Sequence, residues 1–351
     1  MKFSQIIAAE LDTALLMQWE QLQSVSPVYG SPYYHPHYSQ IIAAARPDVR
    51  VLVIEDAGQV TGFLPYHKIN RLRADVIGGG LTDYQGPVCS FQNSLPVGEL
   101  LKAMGVAYMG FNHMPQERSD FSAYAWSHSR SLTLNLEGGF AAYAQRLNDK
   151  RDASLFKKIE TNERRLAKKC GALSFTMNSA SKAEFEALLS GKSAQFIRTL
   201  GAGHDIFATT WIREVVHHIF SQSGPDFGGI LSSLYAGDKM VAAHFGMRCG
   251  KVMHYWFPWY DTDYAEFSPG LILLAFCARE AQAHQIELID LGRGEQAYKQ
   301  RFATGFIPLC EGAASVPAVI SQTQGAYFSA RMRLKESSLG KVFRTWKNAK
   351  K

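Results

Sequence analysis

Val51-Leu52-Val53-Ile54-Glu55-Asp56-Ala57-Gly58-Gln59-Val60-Thr61-Gly62-Phe63-Leu64 sets two apolar, β-branched runs on either side of a short glycine-containing turn. That pattern predicts a strand–turn–strand hairpin. The same device recurs where Ser233–Tyr235 and Met240–Phe245 flank Ala236-Gly237-Asp238-Lys239, and the two turn glycines, Gly58 and Gly237, lie 179 residues apart. Thr82-Asp83-Tyr84 and Thr262-Asp263-Tyr264 repeat at an offset of 180. Gly86-Pro87 follows the first and Ser268-Pro269-Gly270 the second. Each half then continues into a helix and a further strand, at Val106–Phe111 and Ile286–Leu291, again about 180 apart. Four features at one offset near half the chain length predict two tandem copies of one α/β (α+β) unit, each a mixed sheet flanked by helices. Glu137-Gly138-Gly139 marks the expected boundary, giving units at 1–138 and 139–325, with a C-terminal segment at 326–351.

Composition agrees with a folded two-unit protein. The chain has 351 residues, 46% of them hydrophobic, 12% aromatic and 19% charged, which excludes a disordered or fibrous chain. The longest apolar run, Leu271–Ala278, ends at Arg279 and falls short of the roughly 20 residues that span a bilayer. Glu10 and Asp12 interrupt the one apolar stretch that resembles a signal peptide, so a cytoplasmic protein is expected. The five scattered cysteines form no C-x-x-C pair, which fits a reducing compartment and argues against a disulfide framework or zinc site. The eleven histidines show no metal-binding spacing, and no metal is expected.

Charge is unevenly placed. The net charge is +6, and residues 331–351 carry eight Lys/Arg against one Glu, which leaves about −1 for the rest. Nucleic acid is therefore not the expected partner of the body of the protein. A second basic excess lies at Arg146–Lys169, in a stretch that reads as one long helix. In the tail, Leu339, Val342, Phe343 and Trp346 have helical spacing among basic residues. This predicts an amphipathic helix, either packed on the domain or lying on an anionic membrane face.

Residues suited to chemistry concentrate in the second half. Ser268-Pro269-Gly270 before Leu271 predicts a helix start: Ser to cap, Pro in the first turn, and Gly to let a ligand approach the backbone. Such a start suits a pyrophosphate. The preceding strands carry His244 and the run His254-Tyr255-Trp256-Phe257, in which alternation puts His254 and Trp256 on one face and Tyr255 and Phe257 on the other. Ile286–Leu291 then reads as a buried strand with Asp290 near its end, followed by Arg293-Gly294-Glu295-Gln296-Ala297-Tyr298-Lys299. A carboxyl group at a strand end beside glycine-rich turns is where α/β folds place sites, although Asp290 also suits a turn cap.

The order of hairpin, Ser-Pro-Gly helix start and Asp290-Leu291-Gly292-x-Gly294…Tyr298-Lys299 resembles the CelD (cellulose-biosynthesis) acetyltransferase family. That family belongs to the GNAT-like superfamily and is related to the FemAB peptidyltransferases. Ser31-Pro32-Tyr33-Tyr34-His35-Pro36, Gly62-Phe63-Leu64-Pro65 and Asp83-Tyr84-Gln85-Gly86-Pro87 are further points of likeness, and the resemblance spans roughly residues 15–310. It implies an N-acyltransferase moving an acetyl or other acyl group from acyl-CoA to an amine, such as an amino sugar or polysaccharide precursor. Ser268, Pro269, Gly270 and Leu271 would hold the CoA, although the usual GNAT loop (Gln/Arg-x-x-Gly-x-Gly/Ala) is absent as such. His244 would be the base, with Asp290 or Glu295 orienting it or the acceptor, and Tyr298 and Lys299 would meet the thiolate or the acceptor. The first unit lacks the Ser-Pro-Gly start and would shape the acceptor cleft. The alternatives are a FemAB-like aminoacyl-tRNA-dependent transferase and a non-catalytic scaffold held at a polysaccharide synthase by the basic tail.

Overall fold

The computed structural model describes residues 1–89, 94–150 and 154–336. In chain order, β1 (Lys2–Ile7), α1 (Thr13–Ser24) and α2 (Pro36–Ala45) lead into β2 (Val49–Asp56), β3 (Gln59–Lys68), β4 (Arg73–Val76) and β5 (Val88–Cys89). Next come α3 (Val97–Met104), β6 (Tyr108–Pro115), α4 (Ser119–Ser122), β7 (Ala125–Asn135), α5 (Gly139–Lys150) and α6 (Leu155–Cys170). β8 (Leu173–Met177), α7 (Lys182–Leu200), α8 (Thr210–Ser221), β9 (Gly228–Ala236), β10 (Lys239–Cys249) and β11 (Val252–Tyr260) follow. The last elements are α9 (Pro269–Glu280), β12 (Leu288–Arg293), α10 (Ala297–Phe302), β13 (Gly305–Ser315) and α11 (Val319–Glu336).

These elements form two compact units, each with its own mixed α/β architecture. The first contains Met1–Ile7, Asp48–Ser129 and the chain from Pro308 onward, and the second contains Ala8–Pro47 and Arg130–Ile307. In the first, the strand order is β1-β2-β3-β4-β6-β13, with β5 beside β3. The β2/β3 hairpin pairs Val51 with Pro65 and Asp56 with Gln59. Its turn residues Ala57 and Gly58 both have positive φ, 48° and 79°, as a right-twisting two-residue turn requires. β4 and β6 run parallel with α3 between them, and the other pairings are antiparallel. Leu100, Leu101 and Met104 of α3 are buried against Leu52, Ile54, Leu64 and Tyr66 of the hairpin, each side chain contributing about 1.5–3 kcal/mol.

In the second unit the order is β7-β12-β11-β10-β9-β8. The β9/β10 hairpin turns at Gly237, φ 56°, and β11 and β12 run parallel with α9 between them. The two units therefore repeat hairpin, strand, helix and parallel strand, and β6 and β12 begin 180 residues apart at Tyr108 and Leu288. α9 is apolar around most of its circumference, and Ile272, Leu273, Leu274, Cys277 and Ala278 are buried with Met253, Ile289 and Leu291 of the sheet.

The boundary between the two units does not fall at 138/139. Gly138 and Gly139 do turn the chain, at φ 80° and 84°, ahead of α5. The turn lies inside the second unit because the end of β7 pairs with β12, Leu134 opposite Ile289. Arg146–Lys169 is not one helix: α5 and α6 are separate, and 151–153 lie outside the described residues. The tail positions Leu339, Val342, Phe343 and Trp346 also lie outside them. Among the described residues, no helix is long and apolar enough to cross a membrane.

Candidate active site

β11 and β12 share a ladder over only three residue pairs, Val252–His254 against Leu288–Asp290. On its other side β11 is bulged. Phe245 pairs with Phe257 and Met247 with His254, so three steps of β11 oppose two of β10. Past His254 the parallel pairing stops, while β12 continues against β7, Arg293 opposite Ser131. A cavity of about 490 Å³ opens there. Its wall comes from β11 (Tyr255, Pro258, Trp259, Tyr260), from the start of α9 (Ser268, Gly270, Leu271), from Lys192 and Gln195 of α7, and from Gln296 and Tyr298.

The helix start behaves only partly as the sequence suggests. Pro269 is the first helical residue, but Ser268 sits in the left-handed region, φ 54°, and its side chain makes no cap. A left-handed Ser268 turns its hydroxyl away from the N–H groups it would otherwise accept from. Leu271 and Ile272 instead donate to the Ser268 carbonyl, at 2.9 and 3.3 Å. Pro269 has no N–H, so Gly270 supplies the main backbone donor of the first turn toward the cavity. A Cβ at Gly270 would meet only Tyr260 Cδ1, at 3.4 Å.

Of the expected site residues, Ser268, Gly270, Leu271 and Tyr298 line this cavity, and Pro269 is buried at its edge. His244 does not reach it. Its ring is fully buried and stacks flat on Tyr255, with centroids 3.9 Å apart and planes 6° apart. Burial first, then the charge of His254 and that of Lys192, push His244 well below the usual histidine range despite a favourable His254 backbone contact. It is a neutral plate behind Tyr255 rather than a base facing the cavity.

Asp290 and Lys299 serve the backbone at the end of β12. Asp290 Oδ1 accepts from Ser131 Oγ at 2.5 Å and from the Gly292 N–H at 2.8 Å, and the residue is 1% exposed. Lys299 Nζ donates to the carbonyls of Gly292 and Arg293, at 3.2 and 2.9 Å. Together they tie down a turn that contains Gly292 and Gly294, both at positive φ. Glu295 is exposed and accepts from Arg130. Tyr298 keeps its place in the wall, and burial pushes its hydroxyl up to about 12.

The alternation along β11 holds only as far as Trp256: Tyr33 packs edge-on to both His254 and Trp256, while Tyr255 faces His244. The extra residue of the bulge puts Phe257 on the face opposite Tyr255, paired with Phe245 and stacked on Trp256, rather than beside Tyr255 as alternation predicts. Nothing in the sequence marks Lys192, a lysine on an otherwise ordinary helix. Burial, then the nearby Lys299 charge, lower it to about 8, and its Nζ donates to the Pro258 carbonyl at 2.8 Å.

A second cavity of about 630 Å³ is lined in part by Glu20, His35 and His37, whose candidate ligand atoms lie within 4.8 Å of one another. His35 Nδ1 accepts the His37 backbone N–H, which assigns the ring proton to Nε2, 3.9 Å from Glu20 Oε1. Metal ligation through Nε2 would require that cap to open.

Residues 153–300, which carry the cavity, match the family described as an acetyltransferase (GNAT) domain. The protein is thus an acyltransferase with a GNAT-type domain. FemX is similar in structure, with a TM-score of 0.55 at 10% identity over 89% of this chain and 96% of that one. So is the C-terminal domain of a protein described as a lysylphosphatidylglycerol synthetase from Agrobacterium fabrum, with a TM-score of 0.52 at 14% identity over 88% and 95%. At these identities the likeness is one of fold. No curated protein matches the chain.

Proposed function

We propose that the β11/β12 cavity binds acyl-CoA and that the enzyme transfers the acyl group to a primary amine, of the amino-sugar or polysaccharide-precursor class. The separation of two parallel strands beside a bulge is the observation that carries this reading. A strand without a ladder partner has free N–H and C=O groups along one edge, and an extended pantetheine amide chain can pair with them as an added strand. N–H groups freed at the bulge are suited to polarise the thioester carbonyl. The start of α9, with the Gly270 N–H, the Ser268 hydroxyl and the positive helix end, suits the pyrophosphate. The CelD resemblance supports the amino-sugar acceptor.

Calorimetry with acetyl-CoA on the wild type, Gly270→Ala and Gly270→Trp tests the proposal. The alanine Cβ has room, so that variant weakens binding only a few-fold, whereas an indole must project into the cavity and abolish it. A folded wild type that takes up no acetyl-CoA overturns the reading, and salt-sensitive binding of aminoacyl-tRNA in its place would favour the FemAB-like alternative.

A further inference from the structure

Deepening the acyl-CoA reading, on which it rests, we propose that Lys192 is the catalytic acid of the cavity, taking up the charge of the departing CoA sulfur and delivering its proton. Among the described residues lining the cavity there is no carboxylate, no imidazole and no second ammonium. The remaining hydrogen-bonding side chains in the wall are neutral: the hydroxyls of Tyr255, Tyr260, Ser268 and Tyr298, the amides of Gln195 and Gln296, and the indole of Trp259.

Lys192 is also held in place. Its Nζ donates one hydrogen bond to the Pro258 carbonyl, at the far end of β11, and lies 5.2 Å from the centre of the Phe196 ring. An ammonium has three donors, so two remain for the cavity. Gly191 makes the position possible, because a Cβ there would overlap the indole of Trp259, and its absence lets β11 lie against α7 beside Lys192.

The charged and titratable groups around it favour a negative partner. α10 brings the Lys299 ammonium and the Tyr298 hydroxyl, β10 brings His244 in its neutral form, and β11 brings Tyr255 and Tyr260. Lys192, lowered to about 8, sits near the range of a thiol, whereas burial raises Tyr298 to about 12 and also lifts Tyr255 well above the usual tyrosine range. Proton transfer to sulfur is best served by the group whose acidity matches it.

The acceptor nitrogen forms a bond to the acyl carbon, the C–S bond breaks, and its electron pair leaves on sulfur. Sulfur takes a proton from the Lys192 ammonium. The surplus proton on the new amide nitrogen passes to the Lys192 amine, so lysine ends as it began and the products are amide and free CoA thiol.

The test uses free CoA, whose thiol ionisation is read from the ultraviolet absorbance of the thiolate. Titrations of protein alone are subtracted to remove the chain's own cysteines. Calorimetry on the same samples reports CoA affinity separately. In the wild type the bound thiol should ionise at least about one pH unit lower than in Lys192→Met, a roughly tenfold gain in thiolate at neutral pH. Lys192→Arg, which keeps the charge, should restore most of that gain. Lys192→Gln serves as the neutral variant if the methionine variant does not fold. Equal affinity with the same thiol titration in wild type and neutral variants overturns the role of Lys192 and leaves the acyl-CoA reading standing. Failure of the folded wild type to bind CoA overturns both.

Discussion

Replacing Asp290 with alanine separates a structural tie from a catalytic group. Two donors converge on Oδ1, the Ser131 hydroxyl at 2.5 Å and the Gly292 N–H at 2.8 Å, at a residue 1% exposed. Alanine leaves both without that acceptor in the interior. A hydrogen bond to a charged group is worth about 1.5–3 kcal/mol, so losing two costs on the order of 3–6 kcal/mol. For a unit of this size each kcal/mol lowers Tm by about 2–4 °C, which gives a drop of roughly 10 °C. Asp290→Asn keeps an oxygen for both donors and should cost only about 1 kcal/mol. Thermal melts followed by circular dichroism provide the comparison, and calorimetry well below the transition should show acetyl-CoA affinity unchanged, since Asp290 is outside the cavity wall. An alanine variant that melts with the wild type yet loses acyl transfer would refute the structural assignment and return Asp290 to the chemistry.

His35 gives a pH dependence. Burial, then His37, hold it at about 3 in the folded chain against 6.5 unfolded, so its contribution is complete above 6.5 and is lost as pH falls from 6.5 toward 3. The slope is about 1.4 kcal/mol per pH unit. His244 adds to the loss in the same direction. His35→Asn, which preserves a side-chain cap for α2, should flatten part of this slope in urea midpoints measured from neutral pH downward. Glu295→Gln breaks an exposed pair, 55% exposed on the Glu side, and should change stability by less than about 1 kcal/mol with acetyl-CoA binding intact. Gly191→Ala forces Trp259 away from α7, at a cost of about 1–3 kcal/mol, and should weaken acetyl-CoA binding because Trp259 forms part of the cavity wall.

The sequence was most informative where a local rule leaves few alternatives. The Asp56–Gln59 and Ala236–Lys239 turns, the alternation of His254 and Trp256 against Tyr255, and the start of α9 at Pro269 are all visible in short stretches. The bulge in β11 is not, because an unbroken aromatic run carries no mark of an extra residue. Residue types alone also did not reveal that Asp290 and Lys299 spend their hydrogen bonds on nearby backbone or Ser131, or that His244 is shut behind Tyr255. Those depend on which side chain a neighbouring strand presents. Lys192 was missed for the opposite reason: lysine on a helix is common, and only the approach of β11 and α10 makes this one unusual.

β7, from the first half of the chain, completes the sheet of the second unit, and β13, from the second half, completes that of the first. A ribosome that has released residues up to Ser129 has not yet made the partner of β6, because the residues that pair with Met109–Phe111 are Gly312–Ala314. The first sheet must wait with an open edge while nearly two hundred further residues are added, and the second waits for nothing beyond its own β12 and α10. The order of completion is therefore the reverse of the order of synthesis. A nascent chain stalled before residue 312 holds an unfinished strand edge of the kind that recruits chaperones or pairs with a neighbouring copy.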